Sequence, residues 1–249
     1  MQAIILAAGC GSRLSTVLKG KPKCLAQVEN DVSLIDYQLA VLNSFGINDV
    51  CFVLGYRAHE IYRVISDRAH TIINRRYAET NSLYSLWLAR HWVKEDCLIV
   101  NSDILAHPTI YKRLLKHSGN ALTYDSWSGD QDEHMKVIFQ NKKLQEISKS
   151  LSAEASQGES VGLLKLTHQG MNSLFEEAET ALALGGENQW APAAIARLAQ
   201  QQEITGIDVA GLPWVEIDYP EDLQQARQTV WPLISQVALP QPLSQRKVG

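Results

Sequence analysis

The sequence predicts an α/β fold in which helices flank a mixed, mainly parallel central sheet. Two patterns favour this fold. Short apolar runs typical of buried strands alternate with amphipathic stretches of helical spacing through the first half of the chain. The links between them are short, which favours parallel strands joined by right-handed crossovers. The length of 249 residues suits one such domain, or a domain with a small appendage.

The first half begins with an apolar strand at residues 2–7, typical of a parallel strand buried on both faces. A helix is predicted to start at Ser33, because Ser33 and Asp36 have capping-box-like spacing, and to stop at Gly46. The other elements predicted in this half are strands at 50–54, 71–74 and 97–101 and helices at 57–68 and 82–93.

The second half is less regular and predicts a small antiparallel extension of the sheet. Asn141 and the two lysines after it indicate a hairpin turn, and Pro220 lies in the first turn of a last helix. The pattern ends after Pro232, so we expect one domain over residues 1–237 and a flexible tail over 238–249. The remaining predictions are strands at 121–125, 135–139, 144–148, 161–166, 204–209 and 215–217 and helices at 168–184 and 191–201.

The composition argues against several classes of function. A formal net charge of −4 gives no bulk attraction for nucleic acid. No stretch approaches the roughly 18 apolar residues of a membrane span, and the first apolar run lacks a basic leader. The four cysteines form no C-x-x-C pair, so free thiols are expected rather than a disulfide or zinc framework. We therefore expect a cytoplasmic protein that binds neither nucleic acid nor membranes.

A glycine-rich loop follows the first strand directly. Residues 6–14 read LAAGCGSRL, and a Lys-Pro-Lys run ends at Lys23. Gly9 and Gly11 carry no side chain that would keep backbone N–H groups away from a polyphosphate. Arg13 and Lys23 add positive charge, while the spacing fits neither a Walker loop nor a dinucleotide fingerprint. The loop indicates an enzyme that handles a nucleoside triphosphate; the alternative is a plain strand and turn.

These residues resemble the signature of the nucleotidyltransferase superfamily, L-A-A-G-x-G-x-R-L followed by P-K. The resemblance implies a Rossmann-like fold of the nucleotide-diphospho-sugar transferase type. It also implies an enzyme that joins an NTP to a small phosphorylated substrate and releases pyrophosphate, with Arg13 and Lys23 as its catalytic cations. The alternative of another class is a non-catalytic nucleotide-binding regulatory module, which typically loses such basic residues or a metal-binding aspartate.

Polar residues follow several predicted strands at one edge of the sheet. Ligands of open α/β sheets lie beyond the carboxyl ends of the strands, and both Gly55-Tyr56 and Ser102-Asp103 come directly after strands. Asp103 therefore suits a Mg²⁺ ligand beside phosphates. Asp218 closes a later short strand, where the resemblance implies a second metal aspartate. The alternative for each aspartate is to cap the helix that follows it.

Four further segments resemble cytidylyltransferases that act on phosphocholine and related small amine-bearing phosphates, namely 76–86, 147–149, 158–162 and 214–222. The resemblance extends from Met1 to about Arg227 and implies CTP and Mg²⁺. Relatives of this type also use 2-aminoethylphosphonate, inositol phosphate or phosphoglutamine, so the acceptor stays open. A sugar-1-phosphate nucleotidyltransferase is the alternative within the class, but its longer C-terminal region or sugar-binding loop is not evident. The expected partners are CTP and the acceptor, and a homodimer is left open.

The acceptor is expected to meet both a cation and acidic groups. The resemblance assigns Lys149 to the acceptor phosphate. Asp125, Asp132 and Glu133 lie in a polar loop and could face an amine, although the last two also fit a solvated charge run. The predicted acceptor-binding set is Tyr84, Asp125, Lys136, Lys149, Glu159, Trp190, Trp214 and Glu216.

Aromatic and amide side chains complete the predicted site. Tyr84, Trp190 and Trp214 could attract a cation through their ring faces; alternatively, Tyr84 belongs to the core and Trp190 covers the sheet. Asn81 could read a cytosine edge, or cap the helix that begins there in competition with Ser82. The predicted nucleotide-binding set is Leu6, Ala7, Ala8, Gly9, Gly11, Ser12, Gly55, Tyr56, Thr80, Asn81, Ser82 and Ser102.

Overall fold

The structure is a computed structural model that describes residues 1–130 and 133–237. Its strands are β1 (Gln2–Ala7), β2 (Gln27–Glu29), β3 (Val32–Ser33), β4 (Asp49–Leu54), β5 (His70–Ile73), β6 (Cys97–Asn101), β7 (Ile104–Ala106), β8 (Ala121–Asp125), β9 (Lys136–Gln140), β10 (Lys143–Ser148), β11 (Glu159–Leu166), β12 (Thr205–Asp208) and β13 (Trp214–Glu216). Its helices are α1 (Leu34–Ser44), α2 (Ala58–Ile65), α3 (Ser82–Leu88), α4 (Pro108–Leu115), α5 (His168–Ala183), α6 (Ala191–Gln201), α7 (Pro220–Gln225) and α8 (Trp231–Ser235).

Nine of these strands form one mixed sheet in the order β5-β4-β1-β6-β11-β8-β12-β10-β9. The half β5-β4-β1-β6 is parallel. β11 runs antiparallel to β6 and β8, β8 pairs in parallel with β12, and β10 runs antiparallel to both β12 and β9. The predicted mixed sheet with flanking helices is confirmed. Ala7 pairs with Leu54 and Leu6 with Asn101, so β1, β4 and β6 end at one edge.

The core occupies both faces of the sheet, because β1 is apolar on both sides. Ala3 and Ile5 pack in one cluster with side chains of α1, α2, α4, α7 and α8. Ile4, which points the other way, packs in a second cluster with side chains of α3, α5 and α6. This burial on two faces explains why the predicted strand has no polar alternation. No helix in the described ranges is long and apolar enough to span a bilayer.

The predicted helix start at Ser33 is confirmed, since its side chain accepts a hydrogen bond from the backbone N–H of Asp36 and both halves of a capping box are present. Two predicted helices are shorter than expected: α2 ends at Ile65, and α3 ends at Leu88 before a 3₁₀ turn, Ala89–His91. A π-helical segment, Ala226–Val230, connects α7 to α8. The predicted tail, 238–249, lies outside the described residues, and the single domain over 1–237 stays a prediction.

The sequence pattern does not predict β7 or α4. β7 pairs with β13 instead of joining the central sheet, so it lacks the long apolar run of a central strand. α4 begins with Pro108 in its first turn, and the His107 side chain accepts a hydrogen bond from the backbone N–H of Thr109. Proline in the first turn is itself a helix-start signal. These two elements lie directly after Asp103 and therefore position it.

Candidate active site

A cavity of about 550 Å³ opens at the edge of the sheet where β1 and β6 end. Its walls come from the glycine-rich loop, the residues after β6, the starts of α3 and α6, and β8, β10 and β11. Most of the predicted site residues line this single cavity. They are Leu6, Ala7, Ala8, Gly9, Gly11, Ser12, Arg13, Lys23, Thr80, Asn81, Ser82, Ser102, Asp103, Lys149, Trp190, Glu216 and Asp218.

The two glycines of the glycine-rich loop have different structural roles. Gly11 has φ of +56°, and a Cβ atom there would collide with Cγ of Lys23. A side chain at Gly11 would therefore both strain the backbone and block the path of Lys23 into the cavity. A Cβ atom at Gly9 would meet no described protein atom within 4 Å. Gly9 thus leaves backbone open to the cavity, and the fully buried Leu14 anchors the end of the loop.

Three carboxylates converge at one side of the cavity. Oxygen atoms of Asp103, Glu216 and Asp218 lie within 4.8 Å of one another. The pairing of β7 with β13 produces this convergence, because the backbone N–H of Ile217 donates to the Asp103 carbonyl oxygen over 3.0 Å. A link between segments more than a hundred residues apart in sequence therefore builds the cluster.

Neither aspartate takes the alternative capping role. His107 caps α4, and Tyr219 is the N-cap of α7. The carboxylate of Asp222 accepts hydrogen bonds from the backbone N–H groups of Asp218 and Tyr219, at 2.9 and 2.6 Å. Asp222 thus accepts the hydrogen bonds of backbone N–H groups at the start of α7, and the side chain of Asp218 lines the cavity instead.

Lys23 extends into the carboxylate cluster. Its Nζ atom lies 3.0 Å from Oδ2 of Asp103 and also contacts Oδ1 of Asp218. Burial by itself lowers the pKa of Lys23, but the two carboxylates outweigh it and raise that pKa above its usual value. Burial, together with the charges of Asp103 and Asp218, raises the pKa of Glu216. The cluster therefore contains an ammonium ion surrounded by acidic groups.

The carboxylate cluster fits a divalent cation. Magnesium prefers a few carboxylate oxygens together with phosphate oxygens, and this cluster adjoins the loop suited to phosphates. Oδ1 of Asp103 is buried and has no hydrogen-bond partner among the described residues. A buried carboxylate oxygen without a partner is costly, and a bound cation would satisfy it. Asp103, Glu216 and Asp218 thus have the chemistry of a Mg²⁺ site.

Glu133 connects two of the cations that line the cavity. Its Oε2 atom accepts a hydrogen bond from Nη2 of Arg13 at 2.9 Å and lies 3.4 Å from Nζ of Lys149. The hydrogen bond from Arg13 and the charge of Lys149 lower the pKa of Glu133. Arg13 also contacts Asp218 at 3.2 Å. The carboxylate of Glu133 therefore lies between the two cations expected to bind the phosphates of two different substrates.

Hydrogen bonds of polar side chains stabilise the part of the cavity wall formed by the start of α3. Oδ1 of Asn81 accepts a hydrogen bond from the backbone N–H of Ser82, so the predicted alternative that Asn81 caps this helix is confirmed. Oγ of Ser82 instead accepts from the backbone N–H of Ala191, which ties α3 to the start of α6. Asn74 donates to Oγ of Ser85 at 3.0 Å. These bonds fix the wall, and the base-reading role of Asn81 stays a prediction.

Gly55 and Tyr56 lie beside the cavity without lining it. A Cβ atom at Gly55 would come within 2.6 Å of the Ala8 carbonyl oxygen and of Cβ of Tyr77. The backbone N–H of Tyr56 donates to the same carbonyl oxygen at 3.0 Å. This pair therefore supports the glycine-rich loop and brings Tyr77 into the cavity wall.

Five predicted acceptor residues also lie outside the cavity walls. Nε1 of Trp214 donates to Oδ2 of Asp125 at 2.7 Å, which pairs these two with each other. Glu159 is buried and accepts a hydrogen bond from Oγ of Ser128. The remaining two are Lys136, which is buried and donates to the Lys149 carbonyl oxygen, and Tyr84, whose ring packs on Trp87. Asp132 is not among the described residues.

Several residues that line the cavity are absent from the site residues predicted from the sequence. Asn101 carries a weak signal, since it is a polar residue in an otherwise apolar strand, whereas Ser160 shares its strand with Glu159 and Lys165 and carries none. Leu122, Ile147 and Leu164 carry none, because a leucine or isoleucine that faces a cavity has the same strand pattern as one that faces a helix. The further lining residues outside the predicted sets are Cys10, Pro22, Cys24, Asn74, Tyr77, Ser85, Leu86, Ile99, Met135, Gly162, Ala191, Pro192 and Ile195.

Comparisons with known proteins agree with this geometry. A model of the MobA-like NTP transferase domain matches residues 3–174. The chain is 26% identical over 250 residues to a CTP:phosphoglutamine cytidylyltransferase of Campylobacter jejuni, covering 90% of this chain and 98% of that protein. It is 37% identical over 128 residues to a choline-phosphate cytidylyltransferase of Streptococcus pneumoniae, covering 51% and 53%. The solved inositol-1-phosphate CTP transferase from T. maritima superposes with a TM-score of 0.75 at 19% identity, covering 92% of this chain and 97% of that one, and so shares the fold.

Proposed function

Because the chain belongs to the MobA-like NTP transferase domain family, we propose that it transfers CMP from CTP to a small acceptor that bears a phosphate or phosphonate. One observation carries this proposal. Lys23, Arg13 and Lys149 line the same cavity as the carboxylate cluster of Asp103 and Asp218. A cavity that holds three cations together with an acidic cluster suits two anionic reactants and a divalent ion.

The reaction follows from this arrangement. An acceptor phosphate or phosphonate oxygen attacks the α-phosphorus of CTP, the bond to the β-phosphate breaks, and pyrophosphate leaves with the electron pair. The attacking oxygen is already anionic, so no strong general base is required. Arg13 and Lys23 neutralise the triphosphate and the leaving pyrophosphate, while Lys149 holds the acceptor phosphate. Positioning and charge neutralisation then account for most of the rate, as in phosphoryl transfer generally.

Mg²⁺ is the proposed metal, and Asp103, Glu216 and Asp218 would hold it. When bound there, Mg²⁺ would supply charge neutralisation to the phosphates. Glu216 belongs to the acceptor-binding set that the sequence predicts, but its position beside the two aspartates supports a metal-binding role.

The proposed acceptor is amine-bearing, such as phosphocholine, 2-aminoethylphosphonate or phosphoglutamine. The names of the Campylobacter and Streptococcus relatives support this class. A sugar-1-phosphate nucleotidyltransferase is the alternative within the class, and the acceptor panel below separates the two. A non-catalytic module is disfavoured, since the basic residues and the aspartates are all present and assembled.

Pyrophosphate release tests the proposal. Each of the four NTPs would be incubated with phosphocholine, phosphoethanolamine, 2-aminoethylphosphonate, phosphoglutamine and glucose 1-phosphate in the presence of Mg²⁺. We expect release with CTP and an amine-bearing acceptor. Release with glucose 1-phosphate alone would reject the proposed acceptor class, and no release with any pair would reject catalysis.

A further inference from the structure

The side chain of Gln38 contacts the turn that carries Asp103. Gln38 belongs to α1 and is fully buried. Its Nε2 atom donates one hydrogen bond to the carbonyl oxygen of Asn101 and another to that of Ile104, each at 2.9 Å. Asn101 is the last residue of β6, and Ile104 is the first residue of β7. The amide therefore bridges the two ends of the turn, with Asp103 between them.

This bridge uses both donors of the amide. The NH2 group of a glutamine has two N–H donors, and only its nitrogen can face two carbonyl oxygens. Oε1 of Gln38 is buried and has no hydrogen-bond partner among the described residues. That unpaired oxygen offsets part of the stability that the two hydrogen bonds contribute. The clearer consequence is geometric, because the bridge fixes the separation of the carbonyl groups on either side of Asp103.

α1 is also attached to the segment that carries Lys23. The backbone N–H of Leu34, the first residue of α1, donates to the carbonyl oxygen of Ala26 at 3.0 Å. Ala26 directly follows the 3₁₀ turn Lys23–Leu25. Both members of the ion pair between Lys23 and Asp103 are therefore attached to one helix, and their charged groups lie 3.0 Å apart.

Building on the proposed cytidylyl transfer, in which Asp103 is a ligand of Mg²⁺, we infer that Gln38 is a positioning residue for the metal site. Gln38 is not among the described residues that line the cavity, and it acts through the backbone on both sides of Asp103. The Asp103 carbonyl oxygen also accepts the bond from Ile217 of the segment after β13. A loosened turn would therefore change how Asp103 meets Glu216 and Asp218, and Mg²⁺ tolerates little departure from octahedral geometry.

The test makes the same substitution at two buried glutamines. Gln38→Met removes both donors and keeps a side chain of similar length. Gln2→Met is the matched control, because Gln2 is buried and is hydrogen-bonded through both its amide nitrogen and its amide oxygen. Gln2 lies roughly 13 Å along β1 from Leu6, the first residue of that strand to line the cavity.

Mn²⁺ affinity without nucleotide, measured by electron paramagnetic resonance of free Mn²⁺, is the readout that a purely structural role would not move. We expect Gln38→Met to raise the Kd for Mn²⁺ at least about tenfold and Gln2→Met to leave it within about threefold, since residues that orient a metal ligand typically contribute about 10–100-fold to affinity. Thermal unfolding should show a loss of stability in both variants. The Mg²⁺ concentration that gives the half-maximal rate of pyrophosphate release should rise in Gln38→Met by a factor similar to that for Kd.

Unchanged Mn²⁺ affinity in Gln38→Met, or an equal loss in both methionine variants, contradicts the inference. Gln38→Asn keeps the amide but draws it back by one methylene group, so it replaces Gln38→Met, with the same expected loss of affinity, if the latter does not fold. Failure of both Gln38 variants to fold also contradicts the inference, because Gln38 would then be required by the whole fold.

The wild-type protein separates this inference from the proposed function. Absence of Mn²⁺ binding by the wild-type protein would reject the metal site and the positioning role together. Mn²⁺ binding without pyrophosphate release from any pair in the acceptor panel would reject cytidylyl transfer, while the effect of Gln38→Met on Mn²⁺ affinity would still decide the positioning role.

Discussion

Nζ of Lys23 lies 3.0 Å from Oδ2 of Asp103, inside a group of carboxylates with the chemistry of a metal site. The ammonium group neutralises Asp103 and Asp218, and these carboxylates raise its pKa despite burial. A divalent cation in the same cluster would repel Lys23. The nearest alternative partner for its charge is a triphosphate bound along the glycine-rich loop. Lys23 can therefore neutralise the carboxylate cluster before substrates bind and the triphosphate afterwards.

Lys23→Ala is expected to lower kcat by about 10²–10³-fold, because it removes a positive charge aimed at the developing pyrophosphate. The fold should survive, since the side chain lies in the cavity and not in either core cluster. Steady-state pyrophosphate release measures the first effect and thermal unfolding the second. Lys21→Ala, an exposed lysine two residues earlier, is the control. Normal turnover by Lys23→Ala would remove the loop from catalysis.

Lys23→Met should bind Mn²⁺ more tightly than the wild-type protein when no nucleotide is present. The change removes a positive charge that competes for Asp103 and Asp218 while keeping an aliphatic side chain of similar length. Titration followed by electron paramagnetic resonance of free Mn²⁺ gives the affinity without any turnover. Equal or weaker binding by the variant would show that Lys23 does not compete with the cation.

Asp103→Asn and Asp218→Asn should each reduce Mg²⁺-dependent kcat by at least about 100-fold, since each loses a negative charge needed to hold the ion. The exposed Asp67→Asn is a suitable control because it makes the same chemical change away from the cavity. Activity would be measured over a range of Mg²⁺ concentrations. Full activity of either variant at low Mg²⁺ would exclude that residue from the metal site.

Lys149→Ala should raise the KM for the acceptor at least about tenfold more than the KM for CTP. The ammonium lies beside Trp190 and lines the cavity, so its loss should weaken binding of the acceptor phosphate. Lys112→Ala, on the exposed face of α4, is the matched control. The reverse pattern, with CTP more affected, would place the triphosphate at Lys149.

The sequence predicts the residues of this site best where the residue type itself is informative. Gly11 and Asp103 come soon after the ends of β1 and β6, and the carboxyl ends of neighbouring parallel strands must meet, so their proximity could be expected. The link between Asp103 and Asp218 could not be derived from periodicity, because it depends on β7 and β13, two strands of three residues. Only the resemblance to the nucleotidyltransferase superfamily indicated that Asp218 lies near Asp103.

The acceptor side was harder to predict for a different reason. Trp214 and Asp125 have the chemistry of a cation site, but they satisfy each other by a hydrogen bond. Pairing of this kind depends on the distance between β8 and β13, which residue types do not reveal. Conversely, Leu164 and Ile195 have the pattern of core residues and line the cavity. Burial alone does not separate a core side chain from the floor of a binding site.

Glu159 gives a prediction about stability. Burial is the main reason that its pKa is raised to about 7; the charges of Asp125 and Asp130 raise it further, while the hydrogen bond from Ser128 and the charge of Lys136 oppose the shift. His134 also lies 3.3 Å away. Because the folded state holds the proton more tightly than the unfolded state, stability is greatest below the unfolded-state pKa of 4.5 and declines as the pH rises to about 7.

Glu159→Gln should therefore be more stable than the wild-type protein at about pH 8, by up to about 3 kcal/mol, and nearly equal to it at about pH 4.5. The neutral amide avoids the buried charge and can still accept the hydrogen bond from Ser128. Urea unfolding at both pH values measures the difference, with the exposed Glu179→Gln of α5 as the matched control. A variant that is less stable at the higher pH would indicate that the charged carboxylate is stabilised by Lys136 and His134, and that its burial is not costly.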